Sequence, residues 1–108
     1  NIKVAIGSSS KNTKLILKQI GLLNSFDAIS DGNDIKNSKP DPEVFLIAAE
    51  RLNIEPHKCA VIEDAVAGII ATKSAGMLAF GIGDAKSSDL CDFKINNLLE
   101  ILEKIEHD

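Results

Sequence analysis

Three short stretches carry the residue types that phosphate and metal chemistry requires. Gly7-Ser8-Ser9-Ser10-Lys11-Asn12 offers hydroxyls, a cation and an amide in one run, Lys39-Pro40-Asp41-Pro42 sets a lysine just ahead of a helix start, and Ile62-Glu63-Asp64 places two adjacent carboxylates after an apolar run. Neighbouring carboxylates suit Mg2+, a hard ion held by one or two of them together with water and substrate phosphate. A strand-to-helix turn presents successive backbone N–H groups to an anion, and Ser8, Ser10, Lys11 and Asn12 add further donors. The serines equally suit a plain helix cap. Lys39 sits at the positive end of a helix dipole, an unfavourable place for a cation unless an anion is also there. Pro40 keeps it extended; a solvated surface lysine is the plainer alternative. A helix cap at Asp64 with Glu63 in solvent explains Asp64 but leaves the pair unexplained.

These stretches need elements to position them, and the chain supplies strands alternating with helices. Residues 2–6 read as a short buried strand, and residues 13–20 as a helix with Leu15, Ile16 and Ile20 at helical spacing, ended by Gly21. Residues 26–30 follow as a strand, then Asp31-Gly32-Asn33-Asp34 as a turn. Asp41 as N-cap and Pro42 at the first helical position open a helix with Phe45, Ala48, Ala49 and Leu52 on its apolar face. Residues 59–62 are too few for a helix and fit a parallel strand buried on both faces. The helix expected over 64–75 is rich in small residues and stops at Gly76, where Gly68 permits close packing without a chemical role. Strands over 77–82 and 93–95 and an amphipathic helix over 97–107 complete the pattern. It predicts an α/β, Rossmann-like, doubly wound parallel sheet. Such sheets bind ligands at the carboxyl ends of their strands, where all three stretches lie.

Composition narrows the function. The 108 residues allow one domain, and 44% hydrophobic with 26% charged residues is ordinary for a globular chain. A net charge of −4 with few aromatics speaks against a nucleic-acid partner. No apolar run approaches the ~20 residues of a membrane span, and no signal peptide is visible, so no membrane partner is expected. Cys59 and Cys91 are too few for a disulfide framework, which points to a reducing cytoplasm. His57 and His107 have no partner at metal-ligand spacing, and Asp84 is at most a border of the site. Asn1-Ile2-Lys3-Val4 already lies in an apolar segment and the single methionine is Met77, so the chain reads as an internal fragment.

Serine, then Lys-Pro, then Glu-Asp is the order of the second, third and fourth motifs of the haloacid dehalogenase superfamily, and the chain resembles that superfamily from Ile2 to about Asp92. Gly-Ser-Ser-Ser-Lys-Asn, Ser-Lys-Pro-Asp-Pro-Glu-Val-Phe and Ile-Glu-Asp-Ala-Val-Ala-Gly-Ile are similar to its β-phosphoglucomutase-like branch, with Ser9 where that pattern has alanine. The resemblance implies that Ser8 and Lys39 hold the transferring phosphoryl group, that Ser10, Lys11 and Asn12 bind the substrate's other phosphate, and that Glu63 and Asp64 hold Mg2+. It further implies interconversion of β-glucose 1-phosphate and glucose 6-phosphate through an aspartyl-phosphate. A sugar-phosphate or phosphoglycolate phosphatase of the same superfamily, or a non-catalytic phosphate- or Mg2+-binding remnant, are the alternatives. The family's Asp-x-Asp-Gly first motif, its central first strand and its helical cap have no counterpart in this chain. Residues 1–108 therefore read as the C-terminal part of the core domain, inactive alone and poorly stable without the rest of the polypeptide or another chain to complete the sheet.

Overall fold

The computed structural model describes residues 2–97 and 99–100. Its elements are β1 (Ala5–Gly7), α1 (Thr13–Gln19), β2 (Ala28–Ser30), α2 (Glu43–Leu52), β3 (Ala60–Glu63), α3 (Val66–Ser74), β4 (Leu78–Gly81) and β5 (Phe93–Lys94). Every strand pair is parallel, as the alternating pattern predicts. The helix expected over 97–107 falls almost wholly outside the described residues.

The ladders form two groups. β1 pairs with β2, setting Ala5 opposite Ala28, while β3 pairs with β4 and β4 with β5. Among the described residues no ladder joins β1 to β3. Each of these two strands therefore keeps one edge of unpaired backbone groups. This corrects the expectation that residues 59–62 are buried on both faces: Ile62 is 48% exposed. A parallel strand is buried only where neighbours cover it, and β3 has a strand on one side alone.

The helices hold the two groups together. α2 packs on β1 and β2, α3 packs on β3 and β4, and the two helices touch each other. Their shared core comprises Val44, Phe45 and Ala49 from α2 with Ala71, Ala75 and Met77, flanked by Ile35, Cys59 and Val61. A smaller cluster of Ile69, Ala79 and Ala85 seats α3 on β4. On α1 the buried residues are Thr13 and Leu17, whereas Leu15, Ile16 and Ile20 face solvent. Both sets have helical spacing, and Thr13, on the inward face, also donates from Oγ1 to the Ser10 carbonyl at 2.9 Å.

The buried strand expected over 2–6 is instead β1 at Ala5–Gly7, with Ile2 and Val4 exposed ahead of it, and helix ends account for further differences. Gly21 adopts φ +79°, and the Leu22 N–H reaches back to the Leu17 carbonyl at 2.8 Å, a left-handed closure that glycine makes without strain. α2 starts one residue later than Pro42 suggests. Asp41 Oδ1 does accept the Glu43 N–H at 2.9 Å, while the Pro42 carbonyl receives the Phe45 and Leu46 N–H groups. α3 starts at Val66 because Asp64 and Ala65 lie outside it, Ala65 in extended conformation. Cys59 and Cys91 are free thiols, and among the described residues no helix is long and apolar enough to cross a membrane.

Candidate active site

Lys39 and Glu63 come from different layers of the fold and meet. Lys39 Nζ lies 2.9 Å from Glu63 Oε2 and 4.9 Å from the centre of the Phe45 ring. Glu63 ends β3 and is only 8% exposed, so its charge needs partners. It has three: Lys39 on one oxygen, and the N–H groups of Asp64 (3.1 Å) and Ala65 (3.2 Å) on the other. The carboxylate thus steadies the chain as it turns from β3 into α3. The sequence alternative of a capping Asp64 and a solvated Glu63 is reversed. Glu63 is buried and bonded, and Asp64 is exposed with no side-chain hydrogen bond among the described residues.

Two glycines make this arrangement possible. A Cβ on Gly68 would overlap the Glu63 carboxyl group. Gly68 therefore makes room for Glu63, a role beyond the close helix packing expected of it. A Cβ on Gly7 would lie 2.8 Å from Phe45 Cδ1. The Phe45 ring is thus wedged between the backbone at the mouth of β1 and the Lys39 ammonium. Ser8 follows Gly7 directly, so the ring ties the serine loop to the lysine. Neither Phe45 nor Gly68 carries chemistry of its own, and only the motifs around them hint at their positions.

The serine loop is built from its own hydroxyls. Ser8 Oγ accepts the Ser10 N–H at 3.2 Å, and Ser10 Oγ accepts the Asn12 N–H at 3.1 Å. Asn12 is the residue ahead of α1, and its side chain makes no capping bond. The serines therefore shape the loop rather than cap the helix. Each hydroxyl that accepts a bond keeps its own proton for a further acceptor. Ser10, Lys11 and Asn12 are exposed, and Ser8 is half-buried.

Asp31 and Asp34 lie in the turn that the sequence predicts, and the structure adds roles the sequence does not show. Asp31 is 1% exposed, and Asp34 forms a two-pronged ion pair with Arg51 at 2.8 and 3.0 Å. Arg51 also donates to the Ile29 carbonyl. The signal available in sequence is that Arg51 is the only arginine in a chain otherwise supplied with lysine, and arginine suits forked, planar contacts. The guanidinium and the Asp31 N–H hold the Asp34 carboxyl well below the usual carboxylate range. A depressed folded value means the stabilisation is present above the unfolded value of about 3.9 and is lost as pH falls below it. Arg51→Met is therefore expected to cost about 1 kcal/mol at pH 7, the worth of a partly exposed pair. It should also flatten the loss of stability between roughly pH 4 and pH 2. Urea midpoints of the full-length protein across that range test this; an unchanged acid slope would count against it.

Comparison with known proteins fits this geometry. The family profile of the haloacid dehalogenase-like hydrolases matches residues 1–76. The chain belongs to that family. Among its relatives, β-phosphoglucomutase of Bacillus subtilis is 40% identical over 108 residues, covering 100% of this chain and 48% of the relative. Fructose-1-phosphate phosphatase of Escherichia coli is 39% identical over 79 residues, covering 73% of this chain and 42% of the relative. The crystal structure of β-phosphoglucomutase from Clostridium difficile superposes with a TM-score of 0.87 at 38% identity, over 99% of this chain and 50% of that one. The chain thus has the Rossmann-like fold of the haloacid dehalogenase superfamily and spans about half the length of the relatives it matches.

Among the described residues no group of three or more His, Cys, Asp or Glu side chains could hold a metal ion. The Glu63-Asp64 pair still offers hard oxygen donors. A carboxylate has about four lone-pair sites, and Glu63 uses three of them on Lys39, Asp64 and Ala65. One remains on Glu63, and all of those on Asp64 are free. That donor set fits Mg2+, which needs few protein ligands because it keeps waters and binds substrate phosphate.

Proposed function

We propose that residues 1–108 form the C-terminal part of the core domain of a Mg2+-dependent, β-phosphoglucomutase-like enzyme. It would interconvert β-glucose 1-phosphate and glucose 6-phosphate by way of an aspartyl-phosphate. The observation that carries this reading is the 2.9 Å contact between Lys39 and Glu63, which draws a cation and the carboxylate pair to one end of the strands. The match to the Bacillus subtilis mutase along the whole chain favours this branch over others. In this reading the nucleophilic aspartate and the cap over the sugar lie in the remainder of the full-length protein, and the present residues alone are inactive.

Each residue then has a distinct task. Lys39, aimed by Glu63 and Phe45, neutralises oxygens of the transferring phosphoryl group, and the Ser8 hydroxyl donates to it. Ser10, Lys11 and Asn12 hold the substrate's second phosphate, which fixes the sugar's orientation. Asp64, with the remaining Glu63 lone pair, would hold Mg2+, which when bound offsets the charge that builds on the phosphoryl oxygens. With two free thiols, the reading places the enzyme in a reducing cytoplasm.

A phosphatase acting on a sugar phosphate is the second reading, favoured by the similarity to the fructose-1-phosphate phosphatase. The two differ in who accepts the phosphoryl group. The full-length protein, given β-glucose 1-phosphate and a catalytic amount of glucose 1,6-bisphosphate, is expected to form glucose 6-phosphate in large excess over inorganic phosphate. Stoichiometric phosphate release without the bisphosphate would establish the phosphatase instead.

A further inference from the structure

The serine loop does not hold its shape alone. Ser8 of the loop is held by the end of β2, and the next three residues, 9–11, rest on the turn at 31–34. The Ser8 N–H donates to the Ser30 carbonyl at 2.9 Å, and the Gly32 N–H donates to the Ser10 carbonyl at 3.0 Å. Asn33 Nδ2 donates to the Lys11 carbonyl at 3.0 Å. The Ser9 carbonyl packs against Gly32 so closely that a Cβ there would overlap it, and would also lie 2.9 Å from the Lys11 nitrogen. Unlike a clash with a mobile side-chain tip, this one is with backbone and can be relieved only by moving the loop.

The turn itself is rigidly made. Asp31 Oδ1 accepts the Asn33 N–H, Asp34 Oδ2 accepts the Asp31 N–H, and the Asp31 carbonyl accepts the Asp34 N–H. Asp34 is in turn clamped by Arg51 at the end of α2. The loop is therefore referenced to the same helix whose Phe45 ring supports Lys39.

We propose that the 31–34 turn is the template for the phosphate loop, with Asn33 and Gly32 as positioning residues for the site that takes the substrate's second phosphate. The proposal rests on the reading of Ser10, Lys11 and Asn12 as that site. The physical step is the planarity of the peptide unit. A trans peptide sets its N–H opposite its C=O, so tethering the Ser10 and Lys11 carbonyls to the turn puts the Lys11 and Asn12 N–H groups on the far side of the loop. The Asn12 N–H is used by Ser10 Oγ, whereas the Lys11 N–H has no partner among the described residues and remains available to an anion. Gly32 thus aims the free Lys11 N–H through the Ser10 carbonyl, and Asn33 fixes the next peptide, Lys11 C=O with Asn12 N–H; without Asn33 that unit can turn and carry Asn12 and the Lys11 side chain away from the site.

The test uses the full-length protein and two readouts. Asn33→Ala is expected to raise the glucose 1,6-bisphosphate concentration for half-maximal activation about tenfold, the scale of one lost hydrogen bond. Gly32→Ala should raise it further. Hydrolysis of p-nitrophenyl phosphate, which has no second phosphate, should stay within about twofold for Asn33→Ala, a split that general destabilisation does not produce. Asn33→Gln, which keeps the donor, should recover part of the affinity. Lys11→Ala separates the two layers of the inference. If it weakens activation while Asn33→Ala and Gly32→Ala do not, the template role is overturned and the phosphate site stands. If none of the three has an effect, loop 8–12 is not a phosphate site and both fall. Should Gly32→Ala fail to fold, the exposed Asn33 decides alone.

Discussion

Lys39→Met in the full-length protein is expected to lower kcat for phosphoryl transfer by about two to three orders of magnitude, the usual loss when one fixed charge aimed at a developing anion is removed. Methionine keeps the length of the stem over the Phe45 ring, so packing is retained and the charge alone is lost. The structure makes a second consequence unavoidable. Glu63 is buried and would keep only the Asp64 and Ala65 N–H groups as partners. Stranding one member of a buried pair costs about 3–5 kcal/mol where water cannot enter. Here Lys39 is 20% exposed along its side chain, so water can replace part of the interaction and a loss nearer 1–2 kcal/mol is expected. A double replacement, Lys39→Met with Glu63→Gln, should restore most of the stability and none of the turnover. If turnover returned with stability, Lys39 would be a structural clamp rather than a phosphate ligand. Lys39→Arg should also fail to restore full activity, because the broader guanidinium cannot occupy the same point over the ring and against one carboxylate oxygen.

The sequence made the site's ingredients legible but not their division of labour. Ser8, Glu63 and Asp64 stand at strand-to-helix turns where their types also suit plain capping, so it is Lys39, a cation at the positive end of a helix, that marks the group as unusual. The alternation of short apolar runs with small-residue helices likewise yields the parallel α/β fold. What spacing could not show is which carboxylate is buried. Glu63 is the last residue of β3 and Asp64 lies in the bend that follows, and the space that Gly68 leaves lets Glu63 be the inner one. The α1 face was equally undetermined, since Thr13 with Leu17 and Leu15 with Ile16 and Ile20 both satisfy a helical period. The Arg51–Asp34 clamp was illegible for a different reason: its partners are separated by a strand-to-helix connection whose path no local pattern dictates. Ile62 shows the limit from the other direction. Its apolar character correctly marks a strand, but burial depends on how many strands flank it, and among the described residues β3 has one.

Gly68→Ala offers the sharpest contradiction between local and global expectation. In an exposed helix interior this change stabilises by about 1 kcal/mol, since alanine restricts the unfolded chain and favours the helix. At this site the sign should reverse. The added methyl would occupy the space of the Glu63 carboxyl group, so that side chain must swing away from Lys39 and from the Asp64 and Ala65 N–H groups. Three charge-assisted contacts are lost or lengthened together, and a net destabilisation of about 2 kcal/mol is expected after the helix gain is subtracted. Lys39 is left without its guide, and kcat should fall at least about tenfold because small displacements of a positioned charge are magnified in transfer rates. Glu63→Ala supplies the decisive background. With the carboxyl group gone, Gly68→Ala has nothing to displace and should revert to its ordinary helical gain, making the double variant more stable than Glu63→Ala alone. The two positions are thus expected to couple strongly, the double variant being much less destabilised than the sum of the single costs, measured by urea unfolding of the four proteins. Additivity would mean that Gly68 acts through helix packing and not through Glu63, and that the lysine is aimed by Phe45 and its own loop.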